Sequence, residues 1–360
     1  MDCTEKQSIA RFERPQGKKK KPNCGTSRLW RRMDAAVGLD DSLGEDGMKS
    51  ITVIMSIYRP NLEWFEQQLE SIQEQTWPCK ELLIRDDCPQ KPVGIDFFKR
   101  CLTKIPFQYE IGKENLGPSR SFASMVEQAQ GDYIAFCDQD DRWKKEKLEI
   151  LESAFREPGV TLAYCGQQII DAQGNVIGQD IHAVRKGDFF LQGDGCAPDL
   201  FVKNCIYGCT MLLPAELAKQ ALPLPEEMTH DHWFSLWAAS RGKLVYVEKP
   251  LVEYRVHGNN QSSVLKQIRT KQEYIEKRIE SLEIRARSCK GRFAHAPDVE
   301  KRIREVESWV QARLRWQNRD WSAFPKFWKN RSLSPKAALF EVGMPFLPWS
   351  IFRRVLSRQV

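Results

Sequence analysis

Three carboxylates fall within four positions at Asp138, Gln139, Asp140 and Asp141, directly after the apolar run Tyr133 to Cys137. Like charges this close repel one another, and a divalent cation bridging to phosphate oxygens relieves the repulsion. Acids in such a position also serve as helix caps, where Asp favours the first turn. Two more polar residues end apolar runs: Tyr58 follows Ile51 to Ile57, and Asp87 follows Glu81 to Arg85 after one further acid. An aromatic ring offers a stacking face to a nucleobase, and a carboxylate accepts a hydrogen bond from a pyrimidine imide N–H. Taken singly, each is a common turn residue. Farther on, Asp231 opens the apolar stretch THDHWFSLWAA, where a carboxylate serves either as general base toward a hydroxyl or as a first-turn acid. His230 and His232 lie two apart on that helix and so face different ways, which argues against a paired metal site.

Alternating strands and helices must position these residues. Ile51 to Ile57 is a short run rich in branched residues, broken by Tyr58, Arg59, Pro60 and Asn61 before a helix-periodic stretch from Leu62 to Gln75. Glu81 to Arg85 reads as a second strand and Phe97 to Leu102 as a second helix. Phe107 to Ile111 forms a third strand, and the Gly117–Pro118 start predicts a helix to about Gln130, closed by Gly131. Tyr133 to Cys137 is the fourth strand, followed by a helix from about Lys144 to Arg156. Gly208 to Leu213 reads as another strand, Pro214 starts a helix, and Thr229 caps the helix reaching Ala239. Leu244 to Val247 and Leu251 to Tyr254 then read as two strands. Repeated strand-helix units imply an open, mostly parallel sheet covered on both faces, with ligands at the carboxyl ends of its strands.

Composition and charge narrow the class. The 360 residues are 41% hydrophobic and 29% charged with a net charge of +7, and no run of 18 apolar residues exists, which excludes a polytopic membrane protein. The first thirty residues are basic but lack the apolar core of a secretory signal, so a cytoplasmic location is expected. Eleven cysteines occur without a CxxC pair, Cys205 and Cys209 coming nearest, and are read as reduced thiols. Residues 1–48 carry 10 basic and 8 acidic groups and read as a disordered basic tail containing Lys18 to Lys21. Residues 49–265 carry 23 and 30, net −7, with the texture of a catalytic domain. Residues 266–360 carry 22 and 10, net +12, and read as a helical extension holding five of the eleven Trp.

The succession ITVIMSIYRP, ELLIRDDC, ENLGPSRSFASMVEQAQGDYIAFCDQDDRW and THDHWFSLWAA resembles the inverting family-2 glycosyltransferases of the GT-A fold, over about residues 50 to 262. With HDHW and YRVHGNNQS following, it is most similar to bacterial rhamnosyltransferase-like members that build surface polysaccharides. The resemblance implies a Rossmann-like, mostly parallel sheet and transfer of one sugar from a nucleotide-sugar donor, UDP-linked or dTDP-rhamnose, to a glycan or polyprenyl-linked acceptor. It implies that Tyr58 packs on the base, that Asp87 binds its imide, and that Arg120 lies near base or diphosphate. Asp138 and Asp140 then face ribose and metal, with Asp140 or Asp141 the direct ligand to Mg2+ or Mn2+ and His257 a third metal contact. Asp231 matches the family's base. No QxxRW signature of processive members is present, so a single addition per encounter is expected.

In the extension, Gln267 to Cys289 reads as a long charged helix with a rough apolar face, Val299 to Trp316 as a second helix, and Ala337 to Phe352 as an apolar segment broken by Glu341, Pro345 and Pro348. Aromatic residues beside basic ones suit the interface of an anionic membrane, and also suit helices packed on a catalytic domain. A peripheral site on the inner face of the cell membrane follows from the first reading. Two other classes compete. A nucleotidyltransferase requires a Gly-rich basic loop after the first strand, where IYRPN stands instead. A nucleic-acid-binding protein would use the +12 segment, but the −7 middle is repelled by phosphate, so no nucleic-acid partner is expected.

Overall fold

Every residue of strand β1 (Ile51–Ile57) except Ser56 is buried, which is why the run is continuously apolar: parallel neighbours flank it on both sides and helices cover both faces. The computed structural model describes residues 48–178, 190–225, 228–257 and 268–357. The tail expected over 1–48, apart from Met48, and the loop residues Gly258, Asn259 and Asn260 lie outside the described residues. From Lys49 onward the chain forms one compact unit.

Strands β2 (Cys79–Asp86), β3 (Phe107–Ile111) and β4 (Tyr133–Cys137) join β1 in the parallel order β3-β2-β1-β4. Beyond β4 the sheet is mixed. β8 (Met211–Pro214) pairs antiparallel with β4, β6 (Val160–Ile170) antiparallel with β8, β9 (Lys243–Arg255) parallel with β6, and the two-residue β5 (Arg142–Trp143) antiparallel with β9. A short β7 (Val176–Gly178) pairs with β6. The mostly parallel expectation therefore describes the first half alone. β6 escapes a sequence reading because Cys165, Gly166 and two glutamines interrupt its apolar pattern. The two strands expected after Leu244 are one: Cys165 and Gly166 face Val247 and Pro250, so Glu248 and Lys249 bulge out and the proline is tolerated. The stretch from Gly208 begins as a short 3-10 turn (Gly208–Thr210) before the strand, with the His230 ring pressed on Gly208, where an added Cβ would come within 2.6 Å of Nε2.

Side chains alternate across the sheet. Ile51, Val53, Met55 and Ile57 join the core under helices α1 (Leu62–Gln73), α2 (Ile95–Cys101) and α4 (Lys147–Ser153), whereas Ile54 joins the core under α3 (Gly117–Val126). The second core also takes α5 (Ala197–Val202), α6 (Ala215–Gln220) and α7 (His230–Ala239). Asn61 caps α1, its side chain accepting from the N–H groups of Glu63 and Trp64. Thr229 holds the cap position of α7 but makes no side-chain cap bond; its hydroxyl donates to Asp231 instead.

The C-terminal segment adds a helical layer to this second core. Helix α8 runs over Lys271–Ile275, a π-helical turn at Glu276–Glu280, and Ser281–Cys289, opened by a capping box between Thr270 and Glu273. Helix α9 (Pro297–Gln317) buries Val299, Ile303, Val306, Trp309, Val310 and Trp316. The broken segment resolves into α11 (Pro335–Gly343) and α12 (Trp349–Ser357), after the short α10 (Phe324–Lys329). Among the described residues, no helix is long and apolar enough to cross a membrane. The nine cysteines there are free, eight of them buried.

Candidate active site

The carboxyl ends of β1, β2 and β4 bring the polar residues together. Asp138 to Asp141 follow β4 directly, Tyr58 follows β1, and Asp87 follows β2. Gln139 ties two of these loops: its Oε1 accepts from the Tyr58 N–H at 2.8 Å and its Nε2 donates to the Tyr58 carbonyl at 3.3 Å. The Tyr58 ring stays 45% exposed, a face still open to a planar ligand. Asp87 is buried, with Oδ2 accepting from the Gly117 N–H at 2.7 Å and Oδ1 3.5 Å from the Arg85 guanidinium. That Gly117 sits at φ +74°, a backbone region favouring glycine, and links the β2 loop to the start of α3.

The end of β9 reaches the same place. His257 Nε2 lies 2.7 Å from Asp140 Oδ2 and its ring centroid 5.0 Å from that of Trp64. Arg255, two residues earlier and fully buried, works as a hub. Its backbone N–H donates to Asp141 Oδ1 at 3.1 Å, and its guanidinium to the carbonyls of Asp140 (2.9 Å), Asp171 and Ala172 (3.2 Å each) and to Gln67 Oε1 (2.9 Å). Arg255, Trp64 and Gln139 carry no motif that would single them out in the sequence. The available signal was position: Arg255 closes a strand two residues before His257, and Gln139 lies inside the acidic loop.

Electrostatics distinguish the three acids. Desolvation, then Asp140, then Asp231, pushes the Asp138 carboxyl up to about 7, which brings the α7 acid into the field of the acidic loop. Asp141 is wholly buried and held well above the usual carboxylate range by desolvation and its two acidic neighbours, with Oδ2 left without a hydrogen-bond partner. Behind it the buried Lys147, pushed down to about 8 by desolvation, donates to the Cys209 carbonyl at 2.8 Å and lies over the Trp143 ring. Asp231 accepts from Thr229 Oγ1 and, at 2.7 Å, from the His232 N–H. The two histidines diverge as expected. His230 packs on Phe122, while His232 Nε2 lies 2.6 Å from the Leu200 carbonyl; a carbonyl only accepts, so that nitrogen carries the proton.

Two donor sets in the site could meet a divalent cation. Asp138, Asp141 and Cys209 each offer one atom within 4.8 Å of the others. Sulfur is a soft donor that suits neither Mg2+ nor Mn2+, and burial with the two carboxylates pushes the Cys209 thiol well above its usual value, so this trio fits poorly. Asp140 and His257 fit better in donor chemistry: a partly exposed carboxylate oxygen and an imidazole nitrogen lie side by side, 2.7 Å apart, and such O and N donors suit Mn2+ or Mg2+. Arg120 is exposed on the outward side of α3, where it lines a groove of about 670 Å3 with Ser124, Glu127, Lys219, Leu222 and Leu224.

Residues 52–213 match the model of glycosyl transferase family 2. The putative teichuronic acid biosynthesis glycosyltransferase TuaG of Bacillus subtilis is 28% identical over 261 residues, covering 70% of this chain and 97% of that protein. Other relatives are longer, and the chain spans 29–33% of two rickettsial glycosyltransferases. Among solved structures, S. aureus TarS 1-349 in complex with UDP-GlcNAc superposes with a TM-score of 0.54 at 14% identity, covering 86% of this chain and 90% of that one. The mannosyltransferase PcManGT from Pyrobaculum calidifontis, in complex with GDP-Man and Mn2+, gives 0.50 at 14% identity, covering 92% and 90%.

Proposed function

We propose that this chain, whose residues 52–213 match glycosyl transferase family 2 and which has the GT-A fold, moves a single sugar, with inversion, from a nucleotide-sugar donor to a hydroxyl of a surface-glycan precursor. The observation that carries this reading is the convergence of Asp138, Asp140, Asp231 and His257, drawn from three separate segments, at the carboxyl ends of the sheet.

In this reading the exposed Tyr58 ring stacks on the base and Asp87, fixed by Gly117 and Arg85, receives its imide N–H. Asp138 faces the ribose. Asp140 and His257 hold Mn2+ or Mg2+, and Asp141, buried behind them on the Arg255 N–H, positions the loop. When bound, the cation supplies positive charge to the leaving diphosphate. Asp231 takes the proton from the acceptor hydroxyl as that oxygen attacks the anomeric carbon from the side opposite the diphosphate. The Thr229 hydroxyl and the His232 N–H aim its carboxylate. Arg120 follows Ser119, whose Oγ accepts from the His230 N–H beside the base, and in this reading lies near the nucleobase or diphosphate.

A UDP-linked sugar or dTDP-rhamnose is the donor class, and a polyprenyl-linked glycan at the inner face of a membrane the acceptor class. The teichuronic acid assignment of TuaG supports a surface polysaccharide as product, and the net +12 of residues 266–360 supports an anionic surface as partner. Calorimetric titration with UDP and dTDP, each with and without Mn2+, tests the donor site: metal-dependent binding of one is expected, and its loss in Asp140→Ala. Asp231→Asn is expected to keep donor binding while transfer falls by about 10^2–10^4-fold. Near-normal transfer by a folded Asp231→Asn enzyme would remove the base.

A further inference from the structure

The exposed apolar groups of the C-terminal layer are not scattered. Trp321 is 66% exposed and Phe346 47% exposed, yet their rings stack on each other at 5.6 Å, and both meet the buried Trp316 edge-on, at 5.1 and 5.8 Å. This aromatic knob is thus fixed to the core by its base and left open at its tip. Arg319 stands beside it, its guanidinium 5.7 Å from the Phe346 ring centroid and donating to the Pro345 carbonyl at 3.2 Å.

The exposed charge along the same stretch of chain is mostly of one sign. From Arg319 to Arg354 the chain holds seven basic residues: Arg319, Lys326, Lys329, Arg331, Lys336, Arg353 and Arg354, all exposed. Its two acids are both compensated. Asp320 lies 2.7 Å from Arg315, and the fully buried Glu341 is gripped by Arg313. Two further large apolar side chains, Leu339 and Ile351, are exposed on the same segment.

We propose that this segment is the docking surface for an anionic lipid bilayer, with Trp321 and Phe346 entering the headgroup region and the cations resting on lipid phosphates. Tryptophan beside Arg and Lys is the combination that the bilayer interface favours, because the ring is apolar with one polar edge and the cations meet a negative surface potential. Single-stranded nucleic acid fits less well: it needs free ring faces in succession along a basic groove, and here the two rings occupy each other's inner faces. The proposal deepens the reading of a lipid-linked acceptor and rests on that reading for its purpose, since a bilayer-bound enzyme meets such an acceptor in two dimensions.

The test is co-sedimentation of the full chain with vesicles of phosphatidylcholine alone and of phosphatidylcholine mixed with phosphatidylglycerol. Wild type is expected to bind the mixed vesicles and not the neutral ones. Trp321→Ser with Phe346→Ser should weaken binding by about tenfold, and Lys326→Gln with Lys329→Gln by several-fold with a shallower salt dependence. Lys326 and Lys329 are exposed, so circular-dichroism melts of that variant should match wild type, and the aromatic variant should keep a cooperative melt well above the assay temperature. No binding to mixed vesicles, undiminished binding of the aromatic double variant, or equal retention of wild type on single-stranded DNA would overturn the docking surface. So would a wild-type dimer that the aromatic variant abolishes while vesicle binding persists, because the knob would then be an interface between copies. UDP and dTDP titration of the same preparations separates the two ideas. Donor binding without vesicle binding removes the docking surface alone, and vesicle binding without donor binding removes the glycosyl-transfer reading alone.

Discussion

Two groups of buried charge sit on opposite terms in this molecule. In the C-terminal layer, Glu341 receives two bonds from Arg313, at 2.5 and 2.8 Å, and one from the Tyr274 hydroxyl at 3.0 Å, while Trp316 caps its backbone carbonyl at 3.1 Å. In the acidic loop, Asp141 receives one backbone N–H, leaves Oδ2 unpartnered, and lies among acids that raise its affinity for protons. The first group is closed and needs nothing more. The second is held in place by Arg255 and Lys147 but left electrostatically short of positive charge. Satisfied buried networks fix a structure, whereas unsatisfied ones concentrate where a ligand must bring the missing charge.

Glu341→Ala should break the closed group most severely, stranding the Arg313 guanidinium in the core; a loss of about 3–5 kcal/mol in denaturant unfolding is expected. A loss below about 1 kcal/mol would mean that the site is wetter than its burial indicates. His232 offers an intermediate case: its bond to the Leu200 carbonyl survives protonation, yet burial, with Arg285 nearby, pushes it down to about 3. Below its unfolded-state value of about 6.5 the unfolded chain takes a proton that the folded chain refuses. Stability is therefore present above that value and drains away as pH falls from about 6.5 toward 3, with about 2 kcal/mol lost at pH 5. Urea midpoints at pH 8 and 5 should differ less in His232→Asn than in wild type. The smallest change is expected in the open group: Asp141→Asn removes one of the crowded carboxylates, and thermal melting without metal should be unchanged or higher, by about 1 kcal/mol at most. Metal-dependent UDP or dTDP binding should nevertheless weaken in the same variant. Destabilisation on the scale of Glu341→Ala would place both groups in one class and erase the contrast.

How much of this was legible in the sequence depends on how far each feature reaches along the chain. β1 and β4 match their expected spans because each is a short apolar run ended by its own turn residues, and β3 matches through the alternation of FQYEI. The helical spacing of Ile303, Val306, Val310 and Leu314 points to one face of α9, and the first three are buried there while Leu314 is half-buried. The Lys147–Asp141–Cys209 layer behind the acidic loop left no trace, since a lysine at a helix start reads as a surface residue until tertiary packing encloses it. Asp140 and His257 were each singled out, yet the 2.7 Å contact between them spans 117 positions, and nothing local records it. Trp309 and Trp316 show the converse: tryptophans that suited a membrane surface as readily as a core turned out to be 1% and 2% exposed, which leaves the interface reading to Trp321 and its neighbours.

The hub made by Arg255 has a consequence for anyone recombining this enzyme with its relatives. Gln67 on the first helix, the carbonyl of Asp140 in the acidic loop, the turn carbonyls of Asp171 and Ala172, and the strand end that carries His257 all meet on one guanidinium. They are heritable only as a set, although almost two hundred positions separate the first from the last. A chimera that exchanges the loop after Arg255 while retaining a foreign first helix inherits a buried cation without its acceptor, so crossover points chosen by sequence proximity will fail where those chosen by this shared contact succeed.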